Sequence, residues 1–184
     1  SDVPETAPYH DSVVYLSERQ IVTGTGIGQF SPDAPITVRQ WAVMLCRAYG
    51  VQMKGNGWME QSQSGLDAAY GNGWLSETAV VSPETQLCRS AVLESAFDAA
   101  QIPVYDNVLY GGKALSREEN VLRVGQELGL CSASSTVGER VTRGEAAVYL
   151  YETLTHPFAV EAPKSPVVCE NRSDTNLNDY LIEL

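Results

Sequence analysis

The sequence predicts an all-α chain organised as three helix–loop–helix units of about fifty residues each. Apolar residues recur at helical spacing, as in Trp41, Met44, Leu45 and Ala48, then Val92, Leu93, Ala96 and Ala100, then Ala146, Ala147, Leu150 and Leu154. An arginine stands near the start of the second helix of each unit: Arg39, Arg89 and Arg143, separated by 50 and 54 residues. Strand signals are weak. A two-helix unit cannot bury its apolar face alone, so the units must pack on one another.

In the first unit, a helix closes through Tyr15-Leu16 and Ile21-Val22-Thr23-Gly24. A glycine-rich loop, Gly24 to Pro32, leads to a second helix from Thr37, with Gly50 as its stop. The second unit repeats the plan with Leu66, Ala69 and Tyr70, then Gly73-Trp74-Leu75-Ser76, then a helix from about Arg89. Pro103 to Asn107 reads as a connector. The third runs through Val121, Leu122, Val124 and Leu128 to Gly129-Leu130-Cys131, and its last helix starts at Thr142-Arg143. The units span about 2–50, 57–102 and 105–156. Residues 157–184, punctuated by Pro157, Pro163 and Pro166, read as a linker or tail.

The 184 residues carry 12 Lys and Arg against 23 Asp and Glu, a net charge of −11. With 43% hydrophobic residues this is a globular composition, not a disordered one. The negative charge argues against nucleic acid and anionic membrane as partners. No apolar run is long enough to be inserted across a bilayer. The abrupt opening Ser1-Asp2-Val3, without a secretory signal, reads as trimmed from a longer chain. Cys46, Cys88, Cys131 and Cys169 lack metal-ligand spacing, so they are buried idle thiols, or Cys131 pairs with Cys88 or Cys169. The only histidines, His10 and His156, belong to no triad, and phosphate-loop, zinc and EF-hand motifs are missing. These observations predict a chain with no catalytic residues, no metal and no cofactor.

Chemistry concentrates at the helix starts. Thr37-Val38-Arg39-Gln40, Thr142-Arg143-Gly144-Glu145 and Ser116-Arg117-Glu118-Glu119 are capping boxes. A cation in the first turn opposes the helix dipole. A partner anion reverses the sign, because free N–H groups, dipole and guanidinium would then act together. The alternative is that each arginine pairs with an acidic neighbour on the surface.

The first unit resembles a surface-layer homology (SLH) motif. The likeness is carried by Asp2-Val3-Pro4, Val13-Val14-Tyr15-Leu16, Ile21-Val22-Thr23-Gly24, Gly28-Gln29-Phe30-Ser31-Pro32-Asp33 and Ile36-Thr37. It extends over about residues 2 to 156 as three tandem motifs, the second and third degenerate. The resemblance implies three pseudo-threefold helix–loop–helix repeats packed around a central three-helix bundle. It implies a bacterial cell-wall or surface-layer location, outside the cell. The implied partner is an anionic secondary cell-wall polysaccharide, often pyruvylated, held in grooves between repeats.

The family's Ile-Thr-Arg-Ala-Glu motif supplies the arginine that meets the acidic sugar. Val141-Thr142-Arg143-Gly144-Glu145 keeps it well, and Leu87-Cys88-Arg89-Ser90-Ala91 keeps only the arginine. Ile36-Thr37-Val38-Arg39-Gln40 has Val38 at the arginine position and Arg39 one step later, about 100° around the helix. Gly26 and Gly28 would let backbone approach a sugar, or form an ordinary turn. Tyr9 and Trp58 stand for the family's early aromatic, or are buried structural residues. The expected glycan-binding set is therefore Arg143, Arg89, Arg39, Gly26, Gly28, Tyr9 and Trp58. A second reading keeps the architecture but assigns it to protein–protein assembly within a surface layer. The shortened later loops and the displaced Arg39 motivate that reading.

Overall fold

The computed structural model describes residues 2–106 and 108–156. Expectations for the tail from Pro157 onward, Cys169 included, lie outside the described residues. In chain order the elements are α1 (His10–Glu18), α2 (Val38–Ala48), α3 (Trp58–Gly71), α4 (Glu77–Val80), α5 (Arg89–Ala100), β1 (Leu109–Tyr110), β2 (Lys113–Ala114), α6 (Arg117–Glu127) and α7 (Arg143–Thr155). The fold is mainly helical, as expected. The short antiparallel hairpin pairs Leu109 with Ala114 and Tyr110 with Lys113. The sequence reading missed it, although Gly111-Gly112 is a hairpin signal; both glycines have positive φ, at 58° and 80°.

Helices α2, α5 and α7 pack on one another, while α3 lies against α2, α6 against α5 and α1 against α7. Trp41 of α2 is fully buried and donates its indole N–H to Ser95 Oγ of α5 at 2.7 Å. Phe97, Leu45, Leu93, Leu150 and Val121 complete the same core with no exposed surface. Each such side chain contributes about 1.5–3 kcal/mol of burial. At the α5–α6 contact Gly125 lies close to Leu93, whose Cδ1 would stand 2.9 Å from an added Cβ and have to shift.

A closed triangle of backbone hydrogen bonds organises the helix starts. Ile36 N–H donates to Val141 O, Val141 N–H to Leu87 O, and Leu87 N–H to Ile36 O, at 2.9, 3.3 and 3.0 Å. Each of these residues immediately precedes an N-cap: Thr37, Cys88 or Thr142. The triangle fixes the starts of α2, α5 and α7 around one point. Capping boxes at Thr37, Ser116 and Thr142 form as expected.

Cys46, Cys88 and Cys131 are free thiols, so the Cys88–Cys131 pairing does not form. Burial pushes Cys46 up to about 11.

Candidate functional site

The first N–H groups of α2, α5 and α7 are not free, contrary to the sequence expectation. Val38 and Arg39 donate to Thr85 O and Pro83 O, at 3.0 and 2.8 Å. Arg89 and Ser90 donate to Glu139 O and Val137 O, at 2.7 and 3.2 Å. Arg143 and Gly144 donate to Ala34 O and Pro32 O, at 2.8 and 2.9 Å. In each case a neighbouring loop supplies carbonyls to the orphan donors of a helix end. What remains at these ends is side-chain chemistry, and it differs among the three.

Arg89 and Arg143 are the first residues of their helices, but Arg39 is the second, behind Val38. In helical register the equivalent positions are therefore Val38, Arg89 and Arg143. Arg39 turns toward α3, donating to Ser62 Oγ at 3.1 Å and pairing with Glu84.

Arg143 is 5% exposed and donates to two carbonyls, Phe30 O from Nε at 2.9 Å and Thr23 O from Nη2 at 3.2 Å. Its guanidinium stands 4.7 Å from the Phe30 ring centroid. Among the described residues no carboxylate comes within ion-pairing distance of it. The Asp2 carboxylate takes the N–H groups of Phe30 and Ser31, at 2.8 and 2.7 Å. Asp2 and Arg143 thus grip the N–H and C=O sides of one short stretch of backbone. Burial pulls the Arg143 guanidinium below its ordinary range, with Asp2 opposing.

Arg89 is buried to the same degree, 5% exposed, but is surrounded by acceptors. Nη2 lies 3.1 Å from Glu139 Oε2 and 3.0 Å from Glu145 Oε1, and Nη1 donates to the Tyr149 hydroxyl. Burial works against the charge, yet Tyr149, Glu145 and Glu139 raise the Arg89 guanidinium above its ordinary range. Burial likewise pushes the Tyr149 phenol up to about 12.

Clefts open on this surface among the described residues. One, about 670 Å³, lies along α1 and the glycine loop, with Gly24, Gly26, Gly28, Thr23 and Phe30 in its wall. Arg89 opens onto a cleft of about 390 Å³ with Tyr9, Ser132, Ser134, Ser135, Glu139 and Glu145. A third, about 250 Å³, is walled by Trp74, Ser76, Glu94 and Asp98 and has no arginine in its lining. Tyr9 also packs on Gly144, where a Cβ would come within 2.8 Å of the ring. Trp58 is 46% exposed at the first residue of α3 and lines none of these clefts. In the glycine loop it is Gly24 that is sterically required, since a Cβ would meet Gln29 O at 2.6 Å.

The expected set is thus distributed, not gathered: Gly26 and Gly28 in the first cleft, Tyr9 and Arg89 in the second, Arg143 beneath the Phe30 backbone, Arg39 and Trp58 elsewhere. Sequence reasoning missed Glu139, Glu145 and Tyr149 around Arg89, and Asp2 near Arg143. The capping box flagged Glu145 only as a helix cap. Asp2 stood in the motif that carried the family resemblance, without a role.

Residues 1–37 match the family model described as the S-layer homology domain. No curated protein matches the chain. S-layer homology domains are generally cell-wall anchoring modules that bind secondary cell-wall polymers at the cell surface, not enzymes. Among the described residues no helix is long and apolar enough to cross a membrane. Nor do three or more His, Cys, Asp or Glu side chains gather as a metal site would require.

Proposed function

We propose that this chain is a wall-anchoring module made of three S-layer homology motifs, at about 2–50, 57–102 and 105–156, arranged with pseudo-threefold symmetry. Its ligand is an anionic, pyruvylated secondary cell-wall polysaccharide, and it works on an exported bacterial protein. The observation that carries this reading is the closed Ile36–Val141–Leu87 triangle. It relates the segment that matches the family to two further helix starts that do not match by sequence. Arg143, Arg89, Arg39, Gly26, Gly28, Tyr9 and Trp58 are its candidate contacts. Binding weakens with salt to the extent that carboxylate contacts contribute.

Co-sedimentation with purified wall sacculi tests this, before and after chemical release of the polysaccharide. Binding that disappears with the polysaccharide supports the anchor. A well-folded chain that does not sediment with intact sacculi overturns it.

The assembly reading is favoured by one feature, the fully exposed Ile27 at the glycine-loop tip. Under that reading Ile27→Ser abolishes self-association in sedimentation velocity while leaving the fold intact.

A further inference from the structure

Arg89 and Arg143 occupy equivalent helix positions but present opposite electrostatics. Two carboxylates lie within 3.1 Å of the Arg89 guanidinium, while Arg143 has only carbonyl acceptors. One positive charge facing two negative ones leaves the Arg89 cleft net acidic. A third carboxylate entering it meets Glu139 and Glu145 before it meets an unpaired cation. Like charges brought together in a partly desolvated cleft repel strongly.

The remaining groups suit hydroxyls. Glu139 Oε2 already takes Arg89 and the Thr136 N–H, while Oε1 accepts no bond among the described residues and the side chain is half exposed. The hydroxyls of Ser132, Ser134 and Ser135 form a chain, Ser132 lying 2.9 and 3.2 Å from the other two. Each hydroxyl can donate or accept. Tyr9 adds a half-buried aromatic ring. Free carboxylate oxygen, adaptable hydroxyls and an aromatic face match the alternating hydroxyl and C–H surfaces of a sugar ring.

We propose that the Arg89 cleft seats an uncharged sugar ring of the wall polymer and excludes its acidic groups, with Glu139 and Glu145 setting that preference. This rests on the wall-polymer reading above. Arg89 then acts as the positioning residue that holds both carboxylates. The acidic units of the polymer are left to other parts of the surface.

The test is an amide-resolved NMR titration of the whole chain with a panel of methyl hexopyranosides, each paired with the same glycoside bearing a pyruvyl ketal. In the wild type, an uncharged glycoside shifts the Ser132, Ser134 and Ser135 amides. Its pyruvylated partner needs at least about tenfold higher concentration, a difference of about 1.4 kcal/mol. The double variant Glu139→Gln, Glu145→Gln narrows that ratio or reverses it. A glutamine in place of Glu145 can still close the α7 capping box, as Gln40 does at α2, and circular dichroism verifies the helices. The proposal is overturned if no uncharged glycoside moves the serine amides, if the pyruvylated member binds there as well as its partner, or if the double variant leaves the ratio unchanged. Sacculus binding by the wild type reports separately on the wall reading.

Discussion

At the scale of single residues, Arg89 and Tyr149 carry the sharpest consequences. Removing a buried cation leaves its carboxylates facing each other, and that penalty exceeds the value of the pair itself. Glu139 and Glu145 are 50% and 39% exposed, so water softens the penalty. Arg89→Ala should lower unfolding free energy by about 2 kcal/mol, read from urea denaturation. The effect should shrink when Glu139→Gln and Glu145→Gln are added. Tyr149 gives a pH signature. Its phenol is held protonated up to about 12 in the fold, whereas in the unfolded chain it ionises near 10.0. Its contribution is therefore complete below pH 10 and lost as pH rises toward 12. Thermal midpoints across that window, followed with tyrosinate absorbance, test it. Tyr149→Phe should flatten the alkaline slope.

At the scale of elements, α2, α5 and α7 share a nucleus of backbone hydrogen bonds that none could form alone. Their first N–H groups are satisfied by loops far away in sequence, so local fraying cannot open one start without disturbing its neighbours. Hydrogen exchange should show the Ile36, Leu87 and Val141 amides protected together, opening as one unit near the global unfolding limit. Separate exchange rates, with one amide open while the others stay closed, would contradict this linkage. Cys88 is informative here. It stands where Thr37 and Thr142 stand but makes no side-chain cap, so α5 depends more on the Glu139 and Val137 carbonyls.

Across the whole molecule, the two ends of the described chain are joined. Helix α1 packs on α7, and Tyr15 meets Tyr151 edge to face at 5.0 Å. The Asp2 carboxylate and the Arg143 guanidinium hold opposite sides of the Phe30 backbone. The Phe30 and Ser31 N–H groups pull the Asp2 carboxyl below its ordinary value of 3.8. Its contribution is then present above the unfolded value and lost as pH falls through the lower folded one. Asp2→Ala should lower the thermal midpoint at pH 7, with the difference from wild type vanishing as pH falls through the lowered folded value. It should also speed exchange of the Phe30 and Ser31 amides.

The amino-acid sequence alone determined the longer helices and the three capping boxes, while the one-turn α4 and its Ser76 cap went unread. Periodic apolar positions and Thr-x-x-Gln or Thr-x-x-Glu boxes act within a turn or two, so their signal is local and readable. It also placed Val38 in register with Arg89 and Arg143, through the motif around Thr37. What each arginine faces was settled only by tertiary structure. Glu139 lies 50 residues from Arg89, Glu145 lies 56, and Phe30 lies 113 from Arg143. The same long-range closure filled the helix-end N–H groups that looked free in sequence. Charge and hydrogen-bond capacity are set by three-dimensional neighbours, and these come from loops whose pairing no local pattern encodes.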